Sequence, residues 1–199
     1  MKNIKLIFIL FISIMLVACS NNSKDENNIS SKTDELPDLP KKVFSNNNTN
    51  EDISEKDIKK NLKTYLDTFD SLEKNASHIR NKEELTEEDK KSLKNIHNLV
   101  KKNNANFKHY ISNNNLPKNY EHESFKIYKH LNSVELLLNE IYNNAEKAMD
   151  NDSSNKEKLK ASEKIKKVNA EYKDKVNDKK EKEIKEFLNE KNIKTNAFK

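Results

Sequence analysis

The chain reads as an all-α protein, an antiparallel up-and-down helical bundle of three to four long helices behind a disordered N-terminal tether. Three features of its 199 residues predict this: no glycine, apolar residues recurring at alternating three- and four-residue spacing from residue 58 onward, and asparagine-rich polar breaks between those runs. A sheet-rich or dinucleotide-binding domain needs glycine at tight turns and phosphate loops, so a glycine-free chain excludes the usual forms of both. Asparagine, which tolerates the left-handed backbone region, is left to make the turns.

The first helix follows Ser54, whose hydroxyl is suited to cap it. Ile58, Leu62, Tyr65, Phe69, Leu72, Ala76 and Ile79 then share one stripe of about three and a half heptads, and Leu66 widens it towards a bundle interior. Thr86 opens the second helix, with Glu87, Glu88 and Asp89 where the helix dipole favours negative charge. Leu93, Ile96, Val100, Phe107 and Tyr110 carry its stripe, with Asn103 at the one polar core position, where a buried Asn fixes register. Asn113-Asn114-Asn115-Leu116-Pro117 ends it, with a left-handed Asn cap expected and a proline that cannot continue the helix.

The third helix is the best defined and the most apolar, so it is expected to lie most centrally. Ile127, Leu131, Val134, Leu138, Ile141, Ala145 and Ala148 repeat the spacing, with Leu137, Tyr142 and Met149 thickening the face. Residues 150–155 make the next turn and cap. The fourth helix, from Lys156, shows Ala161, Ile165, Val168, Tyr172 and Val176 before a stretch from Asn177 to Glu183 with no apolar residue. Ile184, Phe187 and Leu188 resume, so the end is either a separate short helix or an exposed extension. Short loops between such helices predict the antiparallel arrangement.

Ahead of the bundle, residues 20–50 are rich in Asn, Ser, Lys and Asp and contain Pro37 and Pro40. Such a composition does not bury enough apolar area to offset its ordering entropy, and about thirty flexible residues span roughly 30 Å on average. Leu36, Leu39, Val43 and Phe44 are the exception, expected to dock loosely or to stay disordered.

Residues 1–18 have the layout of a secretory signal peptide: Lys2 and Lys5, then an apolar run from Leu6 closing on small Ala18. That run is too short to cross a hydrocarbon core of about 30 Å. It ends in Leu16-Val17-Ala18-Cys19, which resembles a bacterial lipobox, and Cys19 is the only cysteine. The resemblance implies a bacterial lipoprotein. The Cys19 thiol then carries a diacylglyceryl group, cleavage falls between Ala18 and Cys19, and the new N-terminus is open to N-acylation. Two or more acyl chains give stable anchoring where one is marginal, so the protein is expected on the cell membrane, lipid-anchored and facing outside the cytoplasm. The expected division is signal peptide 1–18, lipidated linker 19–50 and bundle 51–199. One cysteine also rules out an internal disulfide, so the bundle relies on packing. Near the C-terminus, Asn177-Asp178 is similar to the start of an Asn-Asp-x-x-Phe signature of small Gram-positive lipoproteins, but Glu181 stands where Phe belongs, and no functional residue is carried over from that group.

Lysine and arginine number 38 against 33 acidic residues; without Lys2 and Lys5 the net charge is +3, and residues 156–199 alone carry 15 Lys against 9 acids. Lys164, Lys166, Lys167 and Lys173 of this basic end are the candidates for binding a polyanion such as an anionic wall polymer or an acidic partner protein. Export removes nucleic acid from the expected partners. No nucleophile elbow, phosphate loop, zinc spacing or EF-hand is present. His97 and His109, like His122 and His130, lack the spacing that puts two ligands on one helix face, so surface or interfacial roles are expected for them. Acidic clusters such as Glu83-Glu84 read as solvated faces. The expectation is a non-enzymatic surface lipoprotein that binds protein or envelope polymer, without metal, cofactor or small-molecule substrate. The rivals are an immunity or exclusion lipoprotein capturing a bacteriocin, toxin or phage component, and a wall-modifying enzyme.

Overall fold

A computed structural model describes residues 36–82, 84–149 and 152–198. Among them are five helices: α1 (Glu55–Arg80), α2 (Glu87–Ser112), α3 (Lys118–Met149), α4 (Asn155–Tyr172) and α5 (Asp178–Glu190). The fold is all-helical. α1 packs on α2 and α2 on α3, while α4 and α5 both pack on α3.

The helix starts follow local chemistry. Ser54 Oγ accepts the Asp57 N–H at 3.1 Å. Thr86 and Asp89 form a reciprocal capping box, as do Ser154 and Glu157, each satisfying two N-terminal donors. Lys82 donates to Asp89 Oδ1 at 2.6 Å, and that bond, with those from Thr86, holds the Asp89 carboxyl down at about 2.

The helix ends show how a glycine-free chain closes. α5 finishes in a Schellman arrangement: Ile193 N–H reaches Leu188 C=O at 2.8 Å and Asn192 N–H reaches Asn189 C=O at 3.0 Å. Asn192 occupies the left-handed position at φ 54°, the place glycine usually takes. The end of α2 differs from expectation, because Asn113 has φ −116° and is not left-handed. Its side-chain Nδ2 instead donates to His109 C=O at 2.7 Å, and Asn114 Nδ2 donates to Tyr110 C=O at 2.9 Å. Side-chain amides satisfy the terminal carbonyls, so no left-handed turn is needed.

The expected fourth helix is two helices, and Asn177 divides them. Its Oδ1 accepts the Lys180 N–H at 3.1 Å, capping α5, while its Nδ2 donates to Lys173 C=O at 3.1 Å at the end of α4. One side chain satisfies groups of both helices, which stabilises a break that the apolar spacing left unresolved. α5 then returns to the start of α3, where Phe187 meets Tyr120 edge-on at 5.7 Å.

Residues 36–50, which composition placed in the linker, belong to the folded unit that runs from Leu36 to Phe198. Phe44 is 2% exposed. Its ring lies 5.4 Å from Phe107 and 5.7 Å from Tyr110 in edge-on contacts, beside a stacked Tyr65–Phe107 pair at 4.0 Å. Burying a phenylalanine contributes roughly 1.5–3 kcal/mol, which helps offset the ordering of a polar segment. The backbone is held as well: Asn106 Nδ2 donates to Phe44 C=O at 2.7 Å and Asn75 Nδ2 to Pro37 C=O at 2.8 Å. Further on, the chain pairs with the α2–α3 loop through Ile53 N–H to Asn115 C=O and Asn115 N–H to Glu51 C=O, both 2.9 Å.

α3 makes the most helix–helix pairings, as its composition predicted, but it is not the most deeply buried helix. Ile58, Leu62, Tyr65, Leu66 and Leu72 of α1 are fully buried, whereas Leu136 of α3 is 38% exposed and Leu137, Ile141 and Tyr142 are half-buried. α2 and α4 both run along the second half of α3, where Lys90 of α2 lies 3.6 Å from Glu146 and Lys164 of α4 lies 3.1 Å from Glu140.

Candidate functional site

Ala18 and Cys19, the expected cleavage and lipidation residues, lie outside the described residues. The lysines named from sequence all fall on or just after α4, and all four are exposed. At 3.6 residues per turn, Lys166 and Lys173 project within about 20° of each other, while Lys164 and Lys167 lie on the other flank, about 60° apart. They do not converge on one patch. Lys164 Nζ pairs with Glu140 Oε2 of α3 at 3.1 Å, an exposed contact worth about 0–1 kcal/mol.

Lys164 has different company. With Lys147 of α3 and Lys160, one turn earlier on α4, it lines an open groove of about 470 Å³ over Ala161 and Asn144. Both floor residues are buried, and Asn144 is held by donating to Glu140 C=O at 2.6 Å. Ser153 and Glu157 line the same groove, and Glu140 pairs with Lys164, so three ammonium groups stand against two carboxylates, a weakly basic surface whose attraction for anions falls as salt rises. The i, i+4 relation of Lys160 to Lys164 is visible in the sequence; the approach of Lys147 from the other side of the α3–α4 turn is not.

The bundle also holds a buried acid–imidazole pair. Glu135 of α3 is 4% exposed, and its Oε1 lies 2.8 Å from His97 Nδ1 of α2, although without hydrogen-bond geometry. Burial pushes the Glu135 carboxyl up to about 7, with Lys101 acting in the opposite direction and Glu73 in the same one. Burial also holds the His97 imidazole below its ordinary value, helped by Lys101 and opposed by Glu73. Both shifts favour the uncharged forms and so weaken any ion pair between the two groups. Glu73 is itself paired with Arg80 at 2.8 Å. Spacing alone did not single out Glu135, because its partner is on another helix.

Of the other histidines, His78, His109 and His122 are exposed and His130 is buried. Among the described residues no group of His, Cys, Asp and Glu is placed to hold a metal ion, and no helix is long and apolar enough to cross a membrane.

These features define a helical bundle domain with a weakly basic groove along its α3–α4 hairpin. The chain matches no protein-family model, and neither a curated protein nor a solved structure matches it.

Proposed function

We propose that this chain is a lipid-anchored envelope protein that works without catalysis, holding a helical domain outside the cytoplasm at the cell membrane to bind an anionic envelope polymer or a protein partner. The observation that carries this reading is the lipobox-like Leu16-Val17-Ala18-Cys19 placed close ahead of a folded unit. The unit begins at Leu36, so the chain between it and Cys19 reaches at most about 60 Å when fully extended. An anchor on Cys19 therefore confines the domain to the envelope next to the membrane. The lysine-lined groove on α3 and α4 supports a polyanionic contact, with affinity arising from several ammonium groups and no single tight pocket.

The test is crosslinking in intact cells, detergent extraction and affinity purification, comparing the native chain with Cys19→Ser. A discrete protein or an anionic polymer recovered with the native form and lost with Cys19→Ser is the expected result. A bacteriocin, toxin or phage component as the captured protein makes this an immunity or exclusion lipoprotein. Equal recovery with both forms contradicts the proposal.

A further inference from the structure

The N-terminal segment docks without using its leucines. Asn75 Nδ2 of α1 donates to Pro37 C=O at 2.8 Å, and Ser71 Oγ, one turn earlier, donates to Asp38 C=O at 3.1 Å, so the backbone of residues 37–38 is held on that helix. The next deep contact is Phe44. Leu36 and Leu39 stay 42% and 39% exposed, and Lys41 and Lys42 after them are exposed as well. Among the described residues the other large hydrophobics this exposed, Leu136 and Leu159, are single residues on α3 and α4. Scattered exposed apolar residues are ordinary, but two on one hydrogen-bonded stretch beside lysines form a patch suited to another surface.

The surroundings favour an anionic bilayer. Thr195 and Asn196 of the C-terminal tail bond Asp67, one turn before Ser71 on the same face of α1, and Lys194 ahead of them is exposed. The α1 acids nearby are already paired, Asp67 with Lys63 and Asp70 with Lys74. Among the described residues Lys41, Lys42 and Lys194 therefore stand against one acid of the docked segment, Asp38. The folded unit begins at Leu36, so the leucines come first after the anchor, and the chain from Cys19 reaches at most about 60 Å. Confinement within that reach corresponds to a local concentration on the order of millimolar. A contact too weak to hold a free protein is thus populated in an anchored one.

We propose that this patch is a second membrane contact, with Leu36 and Leu39 entering the headgroup–acyl boundary and Lys41, Lys42 and Lys194 meeting anionic headgroups. The inference rests on the reading of Cys19 as the lipidated residue. Leucine gains by leaving water at that boundary, and lysine beside it gains from anionic lipid, a gain that salt screens. The anchor brings a bilayer, and no particular protein, within reach of these residues in every copy. A single lipidated residue leaves the domain free to turn, whereas the leucines set one face of α1, at residues 67–75, towards the membrane.

The test is fluorescence quenching of the lipidated full chain in vesicles of phosphatidylcholine and phosphatidylglycerol that contain brominated acyl chains. Bimane is attached at Asp38→Cys, between the leucines, or at Leu159→Cys; acylation of the Cys19 thiol keeps it from taking the label. The expected result is quenching at position 38 at least threefold that at position 159, falling to the level of position 159 when Leu36→Ser/Leu39→Ser is added, and at least halved when phosphatidylglycerol is omitted. All the substituted positions are exposed, so the helical circular dichroism is expected to stay unchanged. Equal quenching at the two positions, or quenching at position 38 unaffected by the double substitution, overturns the proposal. Quenching unchanged without phosphatidylglycerol overturns the part assigned to the lysines. Intact mass of the same sample separates this inference from the anchoring it rests on: a lipidated chain with no excess quenching at position 38 overturns the membrane contact alone, and a chain without lipid overturns both.

Discussion

Asn103 Oδ1 accepts the backbone N–H of Phe44 at 3.0 Å, fifty-nine residues away in the chain. The same side chain donates through Nδ2 to Tyr65 C=O at 3.2 Å, so a single buried amide ties the N-terminal segment to both α1 and α2. Phe44→Ala is expected to destabilise the fold by about 3–5 kcal/mol through the lost aromatic contacts and the cavity left behind. Asn103→Ala is expected to cost about 1–3 kcal/mol by leaving the Phe44 N–H unsatisfied. Urea denaturation of the two single variants and the double variant checks both; the combined loss is expected to be less than additive, because both act on one contact.

The pair at Glu135 predicts a pH dependence. The carboxyl is raised from its ordinary value to about 7 in the folded state, so the folded protein binds more protons there than the unfolded chain between those values. Its contribution is fully present below about pH 4.5 and is lost as pH rises through 7. Glu135→Gln, which keeps the shape and removes the ionisation, is expected to be more stable than the native chain at pH 8 by about 1–3 kcal/mol, with the advantage disappearing at pH 5. His97, shifted the other way, adds a loss of stability as pH falls below its unfolded value. Thermal melts from pH 4 to 9 check the sign.

The C-terminal tail folds back on α1 through Asp67. Its Oδ1 accepts from Thr195 Oγ1 at 2.7 Å and from Asn196 N–H at 2.6 Å. Burial alone raises the Asp67 carboxyl, but hydrogen bonds from Lys63, Asn196 and Thr195 outweigh it and hold the carboxyl below its ordinary value. The docking is therefore expected to weaken as pH falls into the range where Asp67 is protonated. Asp67→Ala is expected to raise hydrogen exchange at the Asn196 amide while amides of the α1 core keep their protection.

Most helices were legible because their signals repeat. The seven-residue stripe from Ile58 to Ile79 and the capping residues Ser54 and Thr86 point the same way at every turn, so local and global preferences agree. Phe44 was less clear because it stands among polar residues, where periodicity says nothing; it is recruited by Asn103, Asn106 and the aromatic face of α1 and α2. The break at Asn177 was visible as an absence of apolar residues, but its cause, one amide capping two helices, is a matter of geometry. The His97–Glu135 pair and the Lys147–Lys160–Lys164 groove each join residues of different elements, a relation that spacing along one helix does not encode.

The lysines make a spatial prediction. Lys147→Gln/Lys160→Gln/Lys164→Gln removes three charges from one groove, whereas Lys166→Gln/Lys173→Gln removes two from another side of α4. If a polyanion is held along α3 and α4, the triple variant loses affinity for a soluble anionic polymer and its salt dependence flattens, while the double variant changes little. Titration with poly(glycerol phosphate) at two salt concentrations checks this, and equal losses per charge removed indicate attraction by net charge alone.

Anchoring at Cys19 underlies the whole account, and intact-mass spectrometry of the protein extracted from the membranes of expressing cells tests it most directly. The predicted result is a mature chain beginning at Cys19 with a diacylglyceryl group on that residue, absent from Cys19→Ser. A chain that retains residues 1–18, or one cut elsewhere and bearing no lipid, contradicts it.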